Sequence, residues 1–246
     1  MVSVVIPFYN EEGRIKINLD FFIGSLTTII KEPLELVLVN DGSSDDTEKL
    51  LNDLKTKISH IPVEVISYSP NQGKGFAVKK GVLHTKGGKI IVMDADFSVD
   101  INEIPNFLDK LNTHDIVIGT KKHLLTQTIK QQKRPRRILG KGFTLLTNFI
   151  LGLNYTDITC GFKGFRAKPA KDIFARQQLN RWAYDAETLF LAKQRNYKIN
   201  EVPVRWRHVE GSKVSPILDT FRSLKDIITI LLYHYFGFYD QQTKEV

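Results

Sequence analysis

The sequence predicts an α/β fold in which a mostly parallel sheet carries helices on both faces. Short apolar runs alternate with amphipathic stretches through the first half of the chain, a rhythm typical of parallel sheets. Polar clusters follow the apolar runs, where the carboxyl ends of parallel strands meet. A length of 246 residues and a hydrophobic content of 42% allow a sizeable core. We expect one domain over 1–246, with a regular half at 1–120 and a more specialised half at 121–246.

The elements of the first half follow one another in order. VSVVIP is a strand, and EEGRIKINLDFFIGSLTTIIK is a helix because its apolar positions recur at helical spacing. LELVLVN is a strand, and the serines and acids that open SSDDTEKLLNDLKTKI are typical of a helix start. Three further strands are expected at VEVISY, KIIVMDAD and DIVIGT, with helices over GFAVKKGVLHTK and INEIPNFLDKL between them.

The second half is less regular. Helices are expected over ILGKGFTLLTNFILGL, RWAYDAETLFLAKQRN and ILDTFRSLKDIITILLYHYFGFY, and a strand over KINEVPVRWRH. The segment DITCGFKGFRAK is rich in glycine and aromatic residues and receives no assignment.

The positive charge is concentrated in one segment. The net charge is +8, and no Asp or Glu lies between Asp115 and Asp157. That segment carries 8 of the 35 Lys and Arg residues, and the other 27 balance the 27 acidic ones. A basic block indicates an anionic partner: nucleic acid, lipid headgroups or a phosphorylated substrate. A solvated basic loop is the alternative.

Cysteine content and hydropathy indicate a compartment. A single cysteine, Cys160, excludes an internal disulfide and fits a reducing, cytosolic setting. No signal-peptide pattern and no apolar run long enough to span a bilayer is visible. We therefore expect a cytoplasmic protein that is at most peripheral to a membrane.

Two carboxylates, Asp94 and Asp96, flank one alanine after the fourth strand. Charges this close repel unless a cation lies between them. Carboxylate oxygens suit Mg²⁺ or Mn²⁺, and Mg²⁺ typically combines one or two carboxylates with substrate phosphates. A solvated turn is the alternative, because isolated D-x-D patterns are common.

NQGKG at 71–75 places Lys74 between glycines where a helix begins. Backbone amides and the helix dipole favour an anion there, and Lys74 can pair with a phosphate. The motif lacks the spacing of an ATP-binding loop, and the first strand does not lead into a dinucleotide-binding glycine pattern. In NDGSSDDT at 40–47, Asp41 has no helix-capping duty, so its carboxylate could accept hydrogen bonds from a ribose or base.

Taken in order, SVVIPFYNEE, LVNDGSSDDT, NQGKGFAVKKG and DAD resemble the family 2 glycosyltransferases of the GT-A fold. DITCGFKGFRAKPAKDIF, RWAYDAETLFLAKQRNYKINEVPVRW and EGSKVSP resemble the dolichyl-phosphate β-glucosyltransferase branch, whose near relatives include the dolichyl-phosphate mannose synthases. The resemblance runs from about Ser3 to Ser215. It implies a nucleotide-sugar-binding half at 1–120 and an acceptor-binding half at 121–246.

The resemblance also implies roles for individual residues. Asp96 would be the main metal ligand, and Asp94 would lie on the nucleotide side as a second one. Ser98 stands where mannose synthases carry a further ligand. Asp185, beside Glu187, belongs to an acidic pair near the acceptor. Further nucleotide contacts are implied for Pro7, Tyr9, Glu11, Asp41 and Lys74, and Arg134, Arg136 and Arg137 suit the acceptor phosphate.

The expected activity is inverting, metal-dependent transfer of a hexose, glucose from UDP-glucose, to a polyprenyl or dolichyl phosphate. Alternatives are a GDP-mannose donor, or a glycan hydroxyl acceptor with Asp185 as general base. From another class, the chain could be a basic nucleic-acid-binding module, although an acidic pair in the cleft opposes phosphate binding and we expect no nucleic-acid partner. The helix at 138–151 and the C-terminal helix suit an anionic membrane surface, and the alternative is that they complete the core or a homodimer interface.

Overall fold

A computed structural model of the protein describes residues 1–122, 126, 128–130, 134–209 and 216–240. Its strands are β1 (Val2–Phe8), β2 (Leu34–Asp41), β3 (Val63–Tyr68), β4 (Lys89–Val92), β5 (Ile116–Thr120), β6 (Thr128–Lys130), β7 (Lys163–Arg166), β8 (Ile199–Pro203) and β9 (Trp206–Arg207). Its helices are α1 (Glu12–Ile29), α2 (Thr47–Lys57), α3 (Lys74–His84), α4 (Ile104–Lys110), α5 (Arg134–Leu151), α6 (Ala167–Arg176), α7 (Tyr184–Gln194) and α8 (Pro216–Tyr235).

Seven strands form one sheet in the order β3-β2-β1-β4-β7-β5-β8. All neighbours run parallel except β7, which is antiparallel to both β4 and β5. The order reverses direction at β1, because β2 lies on one side of it and β4 on the other. A crevice at such a point is where α/β sheets bind ligands. The predicted α/β architecture is confirmed.

Alternate residues of the central strands enter two separate cores. On β1, Val4 and Ile6 face one cluster and Val5 the other; on β2, Leu38 and Val39 divide in the same way. One cluster takes residues from α1, α2 and α4, and the other from α3, α5, α6, α7 and α8. The sheet is therefore covered on both faces, which explains the nearly continuous apolar strands.

Several boundaries differ from the sequence prediction. The fourth strand was expected to run to Asp96 but ends at Val92, so both carboxylates lie on the following loop. The expected strand KINEVPVRWRH is divided into β8 and β9, and β9 pairs with β6 in a separate two-stranded sheet. The unassigned segment DITCGFKGFRAK contains β7 and the start of α6.

No helix within the described residues is long and apolar enough to cross a membrane. The helices α5 and α8 of the second half pack against each other on one side of the sheet.

Candidate active site

The polar loops that follow β1 and β2 meet beside the point where the strand order reverses. The loop after β1 is tied to the loop after β2: the Asn10 amide donates to Ser43 Oγ at 2.9 Å, and Ser44 N donates to Asn10 Oδ1 at 2.8 Å. The Glu11 amide donates to Thr47 Oγ1 at 2.8 Å. These bonds join two strand ends into one rim beside the crevice.

Asp94 forms an ion pair with Lys74 across this crevice. Lys74 Nζ lies 2.6 Å from Asp94 Oδ1, and the two side chains are 17% and 32% exposed. Burial alone would raise the pKa of Asp94, but Lys74, with Lys121 and Lys163 nearby, lowers it. For Lys74, burial opposes the charge, yet Asp94 and neighbouring groups raise its pKa well above the ordinary value. Both groups are therefore charged at neutral pH.

Gly161 leaves the space that the Asp94 carboxylate occupies. A Cβ added at Gly161 would lie 2.5 Å from Asp94 Cγ and closer still to both carboxylate oxygens. Real Cβ atoms essentially never come within 3.0 Å of another heavy atom. The residue at position 161 must therefore be glycine if Asp94 is to keep this position.

Asp96 lies on the same loop and borders the same small pocket. Its Oδ1 accepts a hydrogen bond from the Ser98 amide at 3.0 Å, which closes a tight turn. Phe97, inside that turn, has a positive φ of 49°. The pocket is lined by Met93, Asp94, Asp96, Phe97, Ser98, Val99, Lys121, Cys160, Gly161, Phe162 and Trp206.

The two carboxylates of this pocket suit a divalent ion that takes its remaining ligands from a bound phosphate group. Asp94 and Asp96 present carboxylate oxygens to one pocket, and Gly161 opens the space around the first of them. Across the described part of the chain, no three His, Cys, Asp or Glu side chains group as a complete metal site. Mg²⁺ and Mn²⁺ sites with one or two protein carboxylates take their other ligands from substrate and water.

Lys121 is a cation of this pocket that the sequence analysis placed only in the basic block. Its ammonium lies 5.8 Å from the centre of the Trp206 ring. Burial would lower the pKa of Lys121, but Asp157 and Asp94 among its neighbours raise it. The Asp94 carboxylate thus lies between lysines of α3 and of the segment after β5. Only the fold brings these residues together, since 47 positions separate Lys74 from Lys121.

Asp157 was also missed, and it holds Lys121 and Lys122 in place. Its side chain is fully buried, and Oδ1 lies 3.2 Å from Lys122 Nζ. Its Oδ2 accepts a hydrogen bond from the Lys121 amide at 3.3 Å. Burial would raise the pKa of Asp157, yet the two lysines lower it. A signal was available, because Asp157 is the first acid after a long basic segment.

Asp41 has a structural task in this conformation. It is 3% exposed. It accepts hydrogen bonds from Tyr68 Oη at 3.0 Å, from Asn71 Nδ2 at 2.7 Å, and from the amides of Gln72 at 2.9 Å and Gly73 at 3.0 Å. Asp41 makes none of these contacts with α2, the helix that follows it in sequence; it holds the loop that opens α3, a role that the sequence analysis did not foresee. The backbone amides at 72 and 73, expected to attract a ligand anion, donate to this carboxylate instead.

Gly73 shapes the start of α3 so that Lys74 faces the crevice. Its φ of 106° is in a region that favours glycine, and a Cβ there would lie 2.5 Å from the Asn180 carbonyl oxygen. Lys74 is the first residue of α3, and its ammonium lies 5.6 Å from the centre of the Trp182 ring. The helix begins where the sequence pattern predicted, within one residue.

The expected nucleotide contacts on β1 lie at the rim. Pro7 is half-buried near the end of the strand, and Tyr9 is 39% exposed just beyond it. Glu11 pairs with Arg14 at 2.5 Å within the first turn of α1. Their contacts with a nucleotide, like that of Asp41 with a ribose or base, stay predictions.

Asp185 is buried in an ion pair. Its Oδ1 lies 2.5 Å from Lys163 Nζ, and both side chains are 5% exposed or less. Lys163 also donates to the carbonyl oxygens of Ile158 and Cys160, at 3.3 and 2.5 Å. The network joins α7, β7 and the segment before Gly161, so it supports the wall on which Asp94 rests.

Arg134, Arg136 and Arg137 lie in the first turns of α5. Their side chains fall outside the described part of the structure, and their contact with an acceptor phosphate stays a prediction.

A second cavity, of about 680 Å³, lies at the opposite end of β1 and β4, among Met1, Gly88, Lys89 and Arg166. Two of its cations are engaged by the protein: Arg166 donates to the carbonyls of Leu111 and Asn112, and Lys89 to that of Leu108. The crevice beside Asp94 is smaller, but it combines charged side chains with the carboxyl ends of the strands. It is therefore the stronger candidate for chemistry.

Comparison with known proteins identifies the family of the chain. The family model described as Glycosyl transferase family 2 matches residues 3–174. The chain belongs to this family. It is therefore a glycosyltransferase, and the predicted family resemblance is confirmed.

Relatives extend the similarity over almost the whole chain. Dolichyl-phosphate beta-glucosyltransferases from Dictyostelium discoideum and Homo sapiens are each 33% identical, with 96% of this chain aligned to 75% and 76% of theirs. The protein of the same name from Saccharomyces cerevisiae is 32% identical, covering 99% of this chain and 78% of its own.

Solved structures share the GT-A fold. Glucosyl-3-phosphoglycerate synthase from Mycobacterium tuberculosis, in complex with Mn²⁺ and UDP-glucose, superposes with a TM-score of 0.62 at 18% identity. The superposition covers 94% of this chain and 78% of that one. The complex of that synthase with phosphoglyceric acid gives a TM-score of 0.64 at 19% identity. The predicted GT-A fold is confirmed.

Proposed function

We propose that this family 2 glycosyltransferase moves glucose from UDP-glucose to a polyprenyl phosphate of the dolichyl type, with inversion at the anomeric carbon. The observation that carries the proposal is the similarity, over 96% of the chain, to relatives named dolichyl-phosphate beta-glucosyltransferases. The charged pocket of Asp94, Asp96, Lys74 and Lys121 supports it, because both substrates of that reaction carry phosphate.

The loop after β4 carries the residues proposed to bind the sugar donor, UDP-glucose. A structural neighbour binds UDP-glucose with Mn²⁺. In this chain Asp94 and Asp96 would hold the divalent ion, which when bound supplies electrostatic stabilisation of the diphosphate. Lys74 and Lys121 add positive charge from two sides of the same pocket. Such fixed charges favour the state in which negative charge builds on the leaving group.

The transfer step needs no general base. A phosphate oxygen of the acceptor attacks the anomeric carbon opposite the diphosphate, and the bond from that carbon to the diphosphate oxygen breaks. The bonding electrons leave with UDP. Because the acceptor phosphate is already an anion near neutral pH, no proton must be removed.

The burial of Asp185 favours a phosphate acceptor over a hydroxyl. A hydroxyl acceptor needs a general base within hydrogen-bond reach. Asp185 is the candidate from the sequence, but its side chain is 5% exposed and holds Lys163 at 2.5 Å. A carboxylate engaged in this way supports the wall of the pocket and is poorly placed to take a proton from a substrate.

The test is a transfer assay in detergent with radiolabelled UDP-glucose, dolichyl phosphate and Mn²⁺, with GDP-mannose as a parallel donor. We expect glucose counts in the lipid phase, and loss of nearly all of them in Asp96→Ala. Asp53→Ala, which removes an exposed carboxylate on α2, is the matched control and should transfer normally. If only GDP-mannose gave counts in the lipid phase, the donor would be GDP-mannose and not UDP-glucose. Absence of lipid-phase counts from every donor would exclude the lipid acceptor.

A further inference from the structure

Phe97 has a backbone conformation that is unusual for a bulky side chain. Its φ of 49° lies in the left-handed region, where the Cβ of any residue except glycine crowds the following carbonyl oxygen. In the described part of the chain, the other non-glycine residues with a positive φ are Asn10 and Asn196. Asparagine tolerates this region because its short side chain can hydrogen-bond locally, which phenylalanine cannot do. The contacts around Phe97 must therefore hold it in this conformation.

The ring of Phe97 is anchored to helix α1. It stacks on the ring of Phe22 with 4.1 Å between the centroids and 25° between the planes. Phe22 is 4% exposed and belongs to the core cluster that contains residues of α1, α2 and α4. Stacked aromatic pairs stabilise a fold beyond the area that they bury. The stack thus offsets part of the cost of the left-handed backbone at Phe97.

Backbone hydrogen bonds hold the turn on either side of Phe97. The Phe97 amide donates to the Asp94 carbonyl at 3.2 Å, which closes the turn after β4. The next residue is fixed to β9, because the Ser98 carbonyl accepts a hydrogen bond from the Arg207 amide at 2.9 Å. The turn is therefore joined to α1 through a ring and to β9 through the main chain.

Both carboxylates of the pocket depend on this turn. Asp94 opens it, and Asp96 immediately precedes Phe97. The Ser98 amide donates to Asp96 Oδ1 at 3.0 Å, a contact across two residues that requires the chain to bend. Phe97 is the residue at which it bends, and all four residues line one pocket. The conformation of Phe97 therefore sets the place of Asp96 relative to Asp94.

Packing alone does not account for the left-handed backbone. Phe107 and Phe162 pair in the same core cluster, with ring centroids 4.6 Å apart, and neither has a positive φ. A ring can therefore fill this core from an ordinary backbone conformation. Strained residues persist mainly at ligand sites, where the strain serves to pre-organise the site. Phe97 combines such a strained backbone with a position in the wall of the charged pocket.

We propose that Phe97 is a positioning residue for the divalent ion of this enzyme. Its stack on Phe22 holds the turn so that the carboxylates of Asp94 and Asp96 are arranged before the ion binds. The side chain of Phe97 is a hydrocarbon and does not bind the ion itself. Residues that orient metal ligands change the metal affinity when they are replaced. The place of the ion at these two carboxylates rests on the proposed function.

The test is the affinity of the full chain for Mn²⁺ in the presence of saturating UDP, measured from the electron paramagnetic resonance signal of the free ion. In Phe97→Gly the left-handed backbone is allowed without strain, but the ring is lost. We expect Mn²⁺ to bind at least about tenfold more weakly than to the parent. The affinity for UDP without metal, measured by calorimetry, should stay that of the parent, because the stack acts on the carboxylates.

A matched pair of variants separates the stack from a general loss of packing. Phe22→Leu removes the partner ring of Phe97 and keeps an apolar side chain in the core, so it should also weaken Mn²⁺ binding. Phe174→Leu removes a ring from the other core cluster, where the centroids of Phe174 and Phe165 lie 5.5 Å apart. It should lower the free energy of unfolding and leave the Mn²⁺ affinity unchanged. Circular dichroism and urea unfolding show whether each variant is folded.

Two outcomes would overturn the proposal. One is binding of Mn²⁺ to folded Phe97→Gly as tightly as to the parent, because the ring would then be dispensable. The other is an equal Mn²⁺ affinity in Phe22→Leu and Phe174→Leu, because the stack would then have no effect of its own. If Phe97→Gly did not fold, this matched pair would decide the question.

Asp96→Ala, measured alongside, separates a failure of this proposal from a failure of the proposed metal site. If Asp96→Ala bound Mn²⁺ like the parent, the ion would be held elsewhere, and both the metal site and the role of Phe97 would be wrong. If Asp96→Ala lost Mn²⁺ while Phe97→Gly and Phe22→Leu kept it, the metal site would stand and the positioning role alone would fail.

Discussion

Asp94 is held between a cation and a glycine, and each constrains it differently. Lys74 at 2.6 Å compensates its charge, while Gly161 leaves the volume that the carboxylate occupies. The pair is neutral as a unit, so Asp94 can be desolvated before any ligand binds. In the proposed function, a diphosphate with its metal ion would bring both a partner for Lys74 and a partner for Asp94. In the absence of a ligand, the Lys74 ammonium and the Asp94 carboxylate therefore neutralise each other.

The first prediction concerns Gly161→Ala. The new methyl group would collide with the Asp94 carboxylate, so Asp94 must rotate away from its place in the pocket. We expect transfer activity to fall by at least about tenfold, the effect of misplacing a group that touches the substrate. Activity is measured in the detergent assay.

Gly24→Ala is the control for Gly161→Ala. Gly24 is exposed in the interior of α1, and a methyl group added there would have nothing within 4 Å, so the change should stabilise the helix slightly. Full activity in Gly161→Ala would show that the position of Asp94 is not needed for transfer.

The second prediction concerns Glu187, a fully buried carboxyl that accepts hydrogen bonds from the amides of Gln178 and Leu179, each at 2.9 Å. Burial raises its pKa from 4.5 to about 7, despite these hydrogen bonds. Because the folded pKa is the higher one, its contribution to stability is fully present below pH 4.5 and is lost as the pH rises through 7. At about 1.4 kcal/mol per pKa unit, the loss is on the order of 3 kcal/mol.

The measurement is the free energy of unfolding in urea at about pH 5 and about pH 8, on either side of the folded pKa. In Glu187→Gln the loss between the two pH values should be smaller than in the parent, because glutamine does not titrate. Glu48→Gln on α2 is the control and should keep the pH dependence of the parent. An identical pH dependence in parent and Glu187→Gln would contradict the raised pKa.

Individual side chains differ in how far the sequence could place them. Asp94 and Asp96 were predictable because two acids after an apolar run are visible in one short segment. Lys121 and Asp157 were not, because their meeting depends on the order of strands across the sheet. The role of Asp41 was not foreseen for a related reason: its amide partners come from the loop at 71–73, about thirty positions later.

At the scale of elements, regular periodicity decided what could be predicted. The parallel strands β1, β2 and β5 are apolar runs buried by helices, whereas β3 is a partly buried strand at the edge of the sheet. The positions of all four agree with the sequence analysis. β7 has only four residues, runs antiparallel and contains Gly164, so its pattern is that of a glycine-rich loop. β4 ends at Val92: the Met93 amide still donates to the Val5 carbonyl, and the chain then turns where the Phe97 amide donates to the Asp94 carbonyl.

The third prediction tests the connection between β7 and α7. In Lys163→Met, Asp185 keeps its charge in a buried place without a partner, which typically costs about 3–5 kcal/mol. The carbonyls of Ile158 and Cys160 also lose a donor. We expect a decrease of that size in the free energy of urea unfolding.

The double variant Lys163→Met, Asp185→Asn should recover part of the loss, because no unpaired charge remains. Lys49→Met, an exposed lysine on α2, is the control and should change stability by less than about 0.5 kcal/mol. If Lys163→Met were as stable as the parent, the ion pair would not support the pocket wall.

At the scale of the whole molecule, one sheet joins the two halves of the chain. β7 and β8 come from the second half, yet they extend the sheet formed by the first. The division at 120 and 121 into donor and acceptor halves stays a prediction, as does the cytoplasmic location. What the architecture supplies is a pocket at the reversal of strand order whose walls come from both halves: Asp94 and Asp96 from one, Lys121 and Gly161 from the other.

A ligand that binds across this pocket should therefore stabilise the whole fold. At about a hundred times its dissociation constant, a ligand adds about 2.7 kcal/mol to the folded state. For a chain of this size each kcal/mol raises the Tm by about 2–4 °C, so UDP with Mn²⁺ should raise it by roughly 5–10 °C. Asp96→Ala should lose the increment that Mn²⁺ adds to UDP and keep the increment of UDP alone. Differential scanning calorimetry measures both, with Asp53→Ala as the variant that should match the parent. A Mn²⁺ increment of equal size in Asp96→Ala would show that this carboxylate does not hold the ion, even if transfer activity is lost.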